Sequence, residues 1–172
     1  MGKIVFYEEK NFGGRHHECM SDCSDLQSLF DRCRSIRVEN GMFMIYDRPG
    51  YAGTPFFMRR GEYSDIMGMS GMKDCVRSCR MIPMHRGNFR IRLYENQDMR
   101  GEMKELTEDC PNLTDRIHHT NSCEVVDGHW LMFEQPNYRG RQFYLRPGQY
   151  RSYSEWNGST PRVGSIRRLM DL

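Results

Sequence analysis

The sequence contains little lysine, little tryptophan and no long apolar run. Of its 25 lysines and arginines only Lys3, Lys10, Lys73 and Lys104 are lysines, which leaves 21 arginines, and only two of its 172 residues are tryptophan. No stretch approaches the roughly 20 apolar residues of a membrane-spanning helix. The N-terminus also reaches a charged residue too soon for a signal peptide. We therefore expect a soluble, unexported, cytoplasmic protein that has no membrane partner.

An excess of charge of one sign is also absent. The formal net charge is +2, and basic and acidic residues are interspersed. The sequence therefore contains no basic cluster of the kind that binds nucleic acid. Arginines interleaved with aromatic residues at positions 138–144 could stack on RNA bases. In a chain of nearly balanced charge they are more simply partnered by acids and ring faces, so we expect no nucleic-acid partner.

The seven cysteines form an odd set, which favours reduced thiols over a disulfide framework. Cys19 and Cys23, together with His16, His17 and Glu18, could be drawn as a metal site. His118 with His119 and Cys75 with Cys79 are weaker candidates of the same kind. However, Cys23 follows Tyr7 and Cys110 follows Tyr94 by the same 16 positions, and each of these tyrosines begins a copy of a motif that is repeated along the chain. A repeated interior position explains them better, so we expect neither a metal nor a cofactor.

Signatures of catalysis are missing too. Residues 68–72 come nearest to a nucleophile elbow, but the second glycine of that motif is not in place. Glycines such as Gly50 and Gly53 form no dinucleotide or P-loop fingerprint. The sequence predicts no catalytic residue and no enzymatic activity.

The main positive feature is a pattern that occurs four times. An aromatic residue is followed after five positions by an aromatic residue or methionine, and after two more by glycine. The four copies are Tyr7/Phe12/Gly14, Tyr46/Tyr51/Gly53, Tyr94/Met99/Gly101 and Phe133/Tyr138/Gly140. A fourfold pattern of this length indicates one repeated supersecondary unit.

Short alternating runs punctuated by turn residues predict an all-β sandwich fold. Each repeat begins with a strand and ends with another, at residues 35–38, 75–78, 122–125 and 165–168. The glycines are expected at φ > 0, with the aromatic residue folded over the turn. Ser35, Ser122 and Ser165 are expected to hydrogen-bond the folded turn. Cys75 takes this place in the second repeat, so we expect a weaker interaction there.

The spacing of the repeats predicts two domains of two motifs each. The first covers residues 1–83, with motifs at about 1–40 and 41–83. The second covers residues 89–172, with motifs at about 89–127 and 128–172. Residues 84–88 are the predicted linker, since Pro83 ends a strand and Gly87 permits a bend.

Together these features resemble the βγ-crystallins over essentially the whole chain, and within them the lens γ-crystallins. Residues 2–4, 60–63, 137–142 and 163–168 carry the match, and the 14 methionines are similar to those of the M-type γ-crystallins of fish. The resemblance implies two Greek-key sandwiches in a monomer, which serves as a structural protein of the lens fibre cell. Its partners would be itself and other crystallins, through weak contacts at high concentration. It also implies an apolar interdomain patch of Met44, Phe57, Ile82, Leu131, Tyr144 and Met170.

Calcium binding, in a stress or buffering βγ-crystallin, is the alternative. Relatives of this fold bind calcium at a double Asn/Asp motif that leads up to the serine of the repeat. The corresponding residues are 30–35, 70–75, 117–122 and 160–165, and none offers paired oxygen ligands. Polarizable methionine, arginine and aromatic side chains instead favour a protein of high refractive index.

Overall fold

The computed structural model describes residues 2–26, 29, 31–69 and 76–170. Contacts between residues divide the chain into two units, one ending at Met84 and the other running from His85 to Met170. Antiparallel strands dominate both units, which confirms the prediction of an all-β protein with two sandwich domains. Within the described ranges, no helix is long and apolar enough to cross a membrane.

Among the described residues of the first unit there are five strands, in which alternating apolar residues cover a core on one face. In chain order they are β1 (Lys3–Tyr7), β2 (His16–Cys19), β3 (Ser35–Arg48), β4 (Ala52–Tyr63) and β5 (Ser78–Ile82). They pair in the order β2-β1-β3-β4, and β5 also pairs with β3.

Seven strands in two sheets form the second unit. They are β6 (Arg90–Asn96), β7 (Arg100–Leu106), β8 (Ser122–Asp127), β9 (Trp130–Gln135), β10 (Arg139–Leu145), β11 (Gly148–Tyr150) and β12 (Ser165–Arg168). One sheet has the order β11-β8-β6-β7 and the other the order β10-β9-β12.

The strands β3 and β4 each pass through both layers of the first sandwich. We expected the strand at residues 35–38, which ends the first repeat, to be separate from the strand that begins the second repeat, and this separation is wrong. Strand β3 is continuous through Gly41, whose φ is +78°, and the register with β4 shifts between Val38 and Met42. Residues 60–63 belong to β4. In the second unit the chain leaves the sheets between β8 and β9, so the same layers form from shorter strands.

Each motif contributes one segment to the sheet of its partner motif. Cys110 of the third motif forms a bridge to Ile166 of the fourth, and Cys23 of the first forms one to Cys79 of the second. In return, β11 of the fourth motif pairs with β8 of the third. The two motifs of a unit therefore share both sheets.

A separate hydrophobic core lies inside each sandwich. Trp130 and Trp156 are buried in the second core. Phe43 fills the place of Trp130 in the first core, and the half-buried Met69 packs against that core. The sequence supports the equivalence of Met69 and Trp156, since Met69 follows Tyr46 and Trp156 follows Phe133 by the same 23 positions.

Candidate functional site

The repeated pattern folds into four hairpins, and the two marked aromatic side chains meet in the first, second and fourth. The ring centroids of Tyr7 and Phe12 lie 5.6 Å apart. The corresponding distances are 5.9 Å in the second motif and 5.7 Å in the fourth, and all three pairs meet edge to face. Edge-to-face packing is a favoured aromatic geometry, so each pair stabilises its hairpin.

Consecutive residues with positive φ make each hairpin fold back. The second aromatic residue or methionine has φ near +60° in every motif, as at Phe12 (+61°) and Met99 (+57°). The residue before it also has positive φ and is Asn11, Gly50, Asp98 or Asn137. Asparagine, aspartate and glycine tolerate this conformation. A bulky side chain adopts it only with strain, which the repeated pattern did not predict at the aromatic position.

The four glycines of the pattern also occupy this left-handed region. Their φ angles are +76° at Gly14, +84° at Gly53, +80° at Gly101 and +83° at Gly140. At Gly53 an added Cβ would overlap the Asp47 carboxylate, which already accepts a hydrogen bond from the Thr54 N–H at 2.7 Å. Glycine is required at position 53 both because φ is positive and because a Cβ would have no space beside Asp47.

A buried serine closes each hairpin with two hydrogen bonds. The Phe12 N–H donates to Ser35 Oγ at 2.9 Å, and the Ser35 hydroxyl donates to the Glu9 carbonyl at 2.6 Å. Ser122 and Ser165 make the same two bonds with their own hairpins. The hydroxyl thus satisfies backbone groups that the folded chain leaves without partners in the sheet.

Our assignment of this position in the second motif is wrong. Ser78 accepts from the Tyr51 N–H at 3.0 Å and donates to the Arg48 carbonyl at 2.6 Å, so the interaction is complete there. Cys75, which we expected in this role, lies outside the described residues. The sequence did contain the signal: Ser78 follows Tyr46 by 32 positions, as Ser165 follows Phe133.

An arginine covers the second aromatic ring in three of the four motifs. The guanidinium carbon lies 4.4 Å from the Phe12 centroid for Arg37, 3.8 Å from Tyr51 for Arg80 and 4.0 Å from Tyr138 for Arg167. Each arginine stands two residues after the closing serine. In the third motif this position is Glu124, which pairs with Arg92 at 3.4 Å, and the ring is replaced by Met99. The third motif therefore lacks both the arginine and the aromatic ring that form the cation–π contact in the other motifs.

The described thiols lie inside the sandwiches and form no metal site. Cys23 and Cys110 occupy equivalent places, and their Sγ atoms lie 3.6 Å and 3.5 Å from the carbonyl oxygens of Asp25 and Asn112. This confirms a repeated packing position. Burial raises the pKa of Cys23 and Cys123, and a hydrogen bond to Cys19 raises that of Cys79. In the ranges that the structure describes, no group of three or more His, Cys, Asp or Glu side chains could hold a metal ion.

Side chains at the calcium-motif positions of the first and third motifs are engaged within the protein. Arg34 pairs with Asp65 at 3.1 Å, Arg32 pairs with Glu9, and Asn121 Nδ2 donates to the Glu95 carbonyl at 2.6 Å. Residues 70–75, our candidate in the second motif, lie outside the described residues. The positive charges would repel a hard cation that needs several oxygen ligands.

A histidine that the sequence analysis did not single out is buried in the second unit. A hydrogen bond of 2.8 Å joins the Tyr144 hydroxyl and His129 Nδ1, and the two rings stack with centroids 5.8 Å apart. Burial, together with smaller contributions from the nearby Arg146 and His85, lowers the pKa of His129 to about 4. The imidazole is therefore neutral at pH 7. A lone histidine between a glycine and a tryptophan gives no sequence signal for this pair.

The residues of the predicted interdomain patch lie in equivalent rows of the two units. Met44 of β3 stands between Phe57 of β4 and Arg80 of β5. In the second unit, Leu131 of β9 stands between Tyr144 of β10 and Arg167 of β12. The core residues Phe43, Ile45, Trp130 and Met132 alternate with Met44 and Leu131 and so lie on the opposite faces of these sheets. Of the other two, Ile82 is buried and Met170 is 38% exposed.

Comparison with known proteins gives one consistent result. The family model described as Beta/Gamma crystallin matches residues 3–82 and 90–169. The chain is 55% identical to Gamma-crystallin M3 of Cyprinus carpio, covering 100% of this chain and 99% of that protein. It is 53% identical to Gamma-crystallin-1 of Xenopus laevis, covering 98% of each, and 53% identical to Gamma-crystallin B of Bos taurus, covering 100% of this chain and 99% of that protein. The chain belongs to the beta/gamma crystallin family.

Proposed function

We propose that this structural lens protein, which is not an enzyme, acts as a densely packed component of high refractive index. The observation that carries the proposal is that polarizable arginine and aromatic groups stack on one another at equivalent positions of the repeats. Arginine stacks on an aromatic ring within 4.4 Å in three of the four hairpins. Such groups, with the thioethers of the 14 methionines, raise the polarizability of the chain. Function then resides in the whole folded molecule.

The setting of this function is the cytoplasm of the lens fibre cell, with the protein as a monomer. Its partners are other crystallins and further copies of itself, through weak contacts at high concentration. A formal net charge of +2 supports this, because weak mutual repulsion permits close approach. The domain limits 1–83 and 89–172 and the linker 84–88 belong to the same proposal, as do the turn positions at the four glycines and at Ser35, Ser122 and Ser165.

The refractive increment tests this function directly. Differential refractometry should give a value per gram above that of an average protein, because methionine, arginine and aromatic groups are enriched. A control in which the exposed Arg86, Arg100 and Arg139 become lysine should retain the fold and have a slightly lower increment. An increment no higher than the average would overturn the proposal.

Calorimetric titration separates this function from calcium storage. No contact among the described residues favours calcium binding, and we expect no saturable binding tighter than ~0.1 mM, a threshold that includes all sensor-type sites. Tighter saturable binding would replace the structural role with a calcium-binding one.

A further inference from the structure

Sulfur at the described surface is carried by thioethers and not by thiols. Seven large hydrophobic side chains are exposed there, and five of them are methionine: Met20, Met67, Met84, Met103 and Met170. By contrast, five of the six described cysteines are buried, and Cys23 is half-buried. Leucine would cover the same surface with the same apolar character. Hydrophobicity therefore does not explain why these positions hold methionine.

Four of these residues, the surface methionines Met20, Met67, Met84 and Met103, are most open to solvent. Their exposed fractions are 59%, 50%, 54% and 43%. None belongs to the core of its unit. Met170 is set apart, because it belongs to the predicted interdomain patch.

The reactivity of the two kinds of sulfur differs with protonation. A thiol reacts as its thiolate. Burial raises the pKa of Cys23 and Cys123 and a hydrogen bond to Cys19 raises that of Cys79, whereas hydrogen bonds to Cys79 and Cys23 lower the pKa of Cys19. A thioether carries no proton on sulfur, so its lone pair is available at every pH. The exposed sulfur is thus the kind that reacts without prior ionisation.

The same oxidation has opposite consequences at the surface and in the core. Methionine sulfoxide is polar, and at an exposed position its S=O group remains in water. Met42, Met44, Met58 and Met132 are at most 2% exposed. Burying a sulfoxide at those positions would cost free energy, since a buried polar group needs a hydrogen-bond partner.

We propose that each of the surface methionines is by itself an oxidant-consuming position for hydroperoxides. In each event the thioether sulfur attacks one peroxide oxygen and the O–O bond breaks. With hydrogen peroxide, one oxygen becomes the sulfoxide and the other leaves as water. The sulfur is oxidised by two electrons and the peroxide is reduced by two. Methionine sulfoxide reductases can restore the thioether with two electrons from a dithiol, and the oxygen then leaves as water, so each position can react again.

Peptide mapping after treatment with hydrogen peroxide tests these positions. In the folded protein, sulfoxide should accumulate at Met20, Met67, Met84 and Met103 before Met42, Met44, Met58 and Met132. The difference should vanish in urea, where all eight are accessible. The urea midpoint of the protein oxidised at the four surface positions should equal that of the untreated protein. Equal oxidation of both sets in the folded state, or a lowered midpoint, would overturn the proposal.

The protective role is tested by replacing the four surface methionines with leucine. The variant M20L/M67L/M84L/M103L should consume peroxide more slowly and lose titratable thiols about twofold faster than the unmodified protein at limiting peroxide. A control variant with buried substitutions, M44L/M132L, nearly conserves side-chain volume and should behave like the unmodified protein. Equal rates of thiol loss in the surface variant and the unmodified protein would contradict the role. Neither outcome depends on the refractive increment.

Discussion

At the scale of single residues, the hydroxyl of Ser78 holds together two backbone groups of one hairpin. Ser78→Ala leaves the Tyr51 N–H and the Arg48 carbonyl without this partner. We expect a loss of about 1–3 kcal/mol in the free energy of unfolding, the cost of unsatisfied buried groups. Urea denaturation measures it, with the exposed Ser64→Ala as a control that should change by less than about 0.5 kcal/mol. Equal stability of the two variants would show that the hairpin holds without the hydroxyl.

The buried His129 gives a pH dependence of stability. Its pKa is about 4 in the folded protein and 6.5 in its ordinary state, so the unfolded chain binds the proton first as the pH falls. The contribution of neutral His129 is complete above pH 6.5 and is lost as the pH falls towards 4. The loss is on the order of 3 kcal/mol. Urea midpoints measured from pH 7 to pH 4 should show it.

A variant separates this dependence from that of the carboxylates. His129→Phe should flatten the fall in stability between pH 6.5 and pH 4, whereas replacement of the exposed His118 by Phe should leave it unchanged. An unchanged slope in His129→Phe would assign the dependence to other groups.

At the scale of the element, Gly50 and Gly53 separate conformational from steric cost within one hairpin. Both have positive φ, +70° and +84°, but a Cβ at Gly50 meets nothing within 4 Å. A Cβ at Gly53 would displace the Asp47 carboxylate from Thr54. Gly50→Ala should cost about 1–2 kcal/mol from backbone strain, and Gly53→Ala at least about 1 kcal/mol more. Thermal or urea unfolding of the two variants measures this, and similar losses would contradict the steric part.

The sequence predicts the hairpins well, because aromatic residue, turn and glycine lie within eight consecutive positions. Ser78 was harder to place, since the interval from leading aromatic residue to serine is 28 positions in the first and third motifs and 32 in the second and fourth. The arginine that stacks on the ring could be predicted from the sequence, because it always stands two residues after the serine. The continuity of β3 could not be predicted, because the register with β4 decides whether the strand bends or breaks at Gly41.

At the scale of the whole molecule, the predicted apolar patch can be tested by its effect at a distance. Phe57→Ala and Leu131→Ala should each cost on the order of 2 kcal/mol or more if the patch is buried between domains. Each should also lower the stability of the domain that was not changed. Hydrogen exchange, measured separately over residues 3–82 and 90–169, reports both domains. Normal protection in both variants, or losses confined to the mutated domain, would count against the patch; Met103→Ala, at an exposed position, is the control.

The exchange of segments between paired motifs governs when this chain can fold during synthesis. The first motif has its Cys23 segment bound to β5, and β5 ends at Ile82. A ribosome adds about 5–20 residues per second, so the first motif waits seconds for a partner that has not yet been made. The nascent chain therefore becomes a stable sandwich only once its first 80 or so residues have emerged. Until then, the edge of β3 that later pairs with β4 and β5 remains open to other chains.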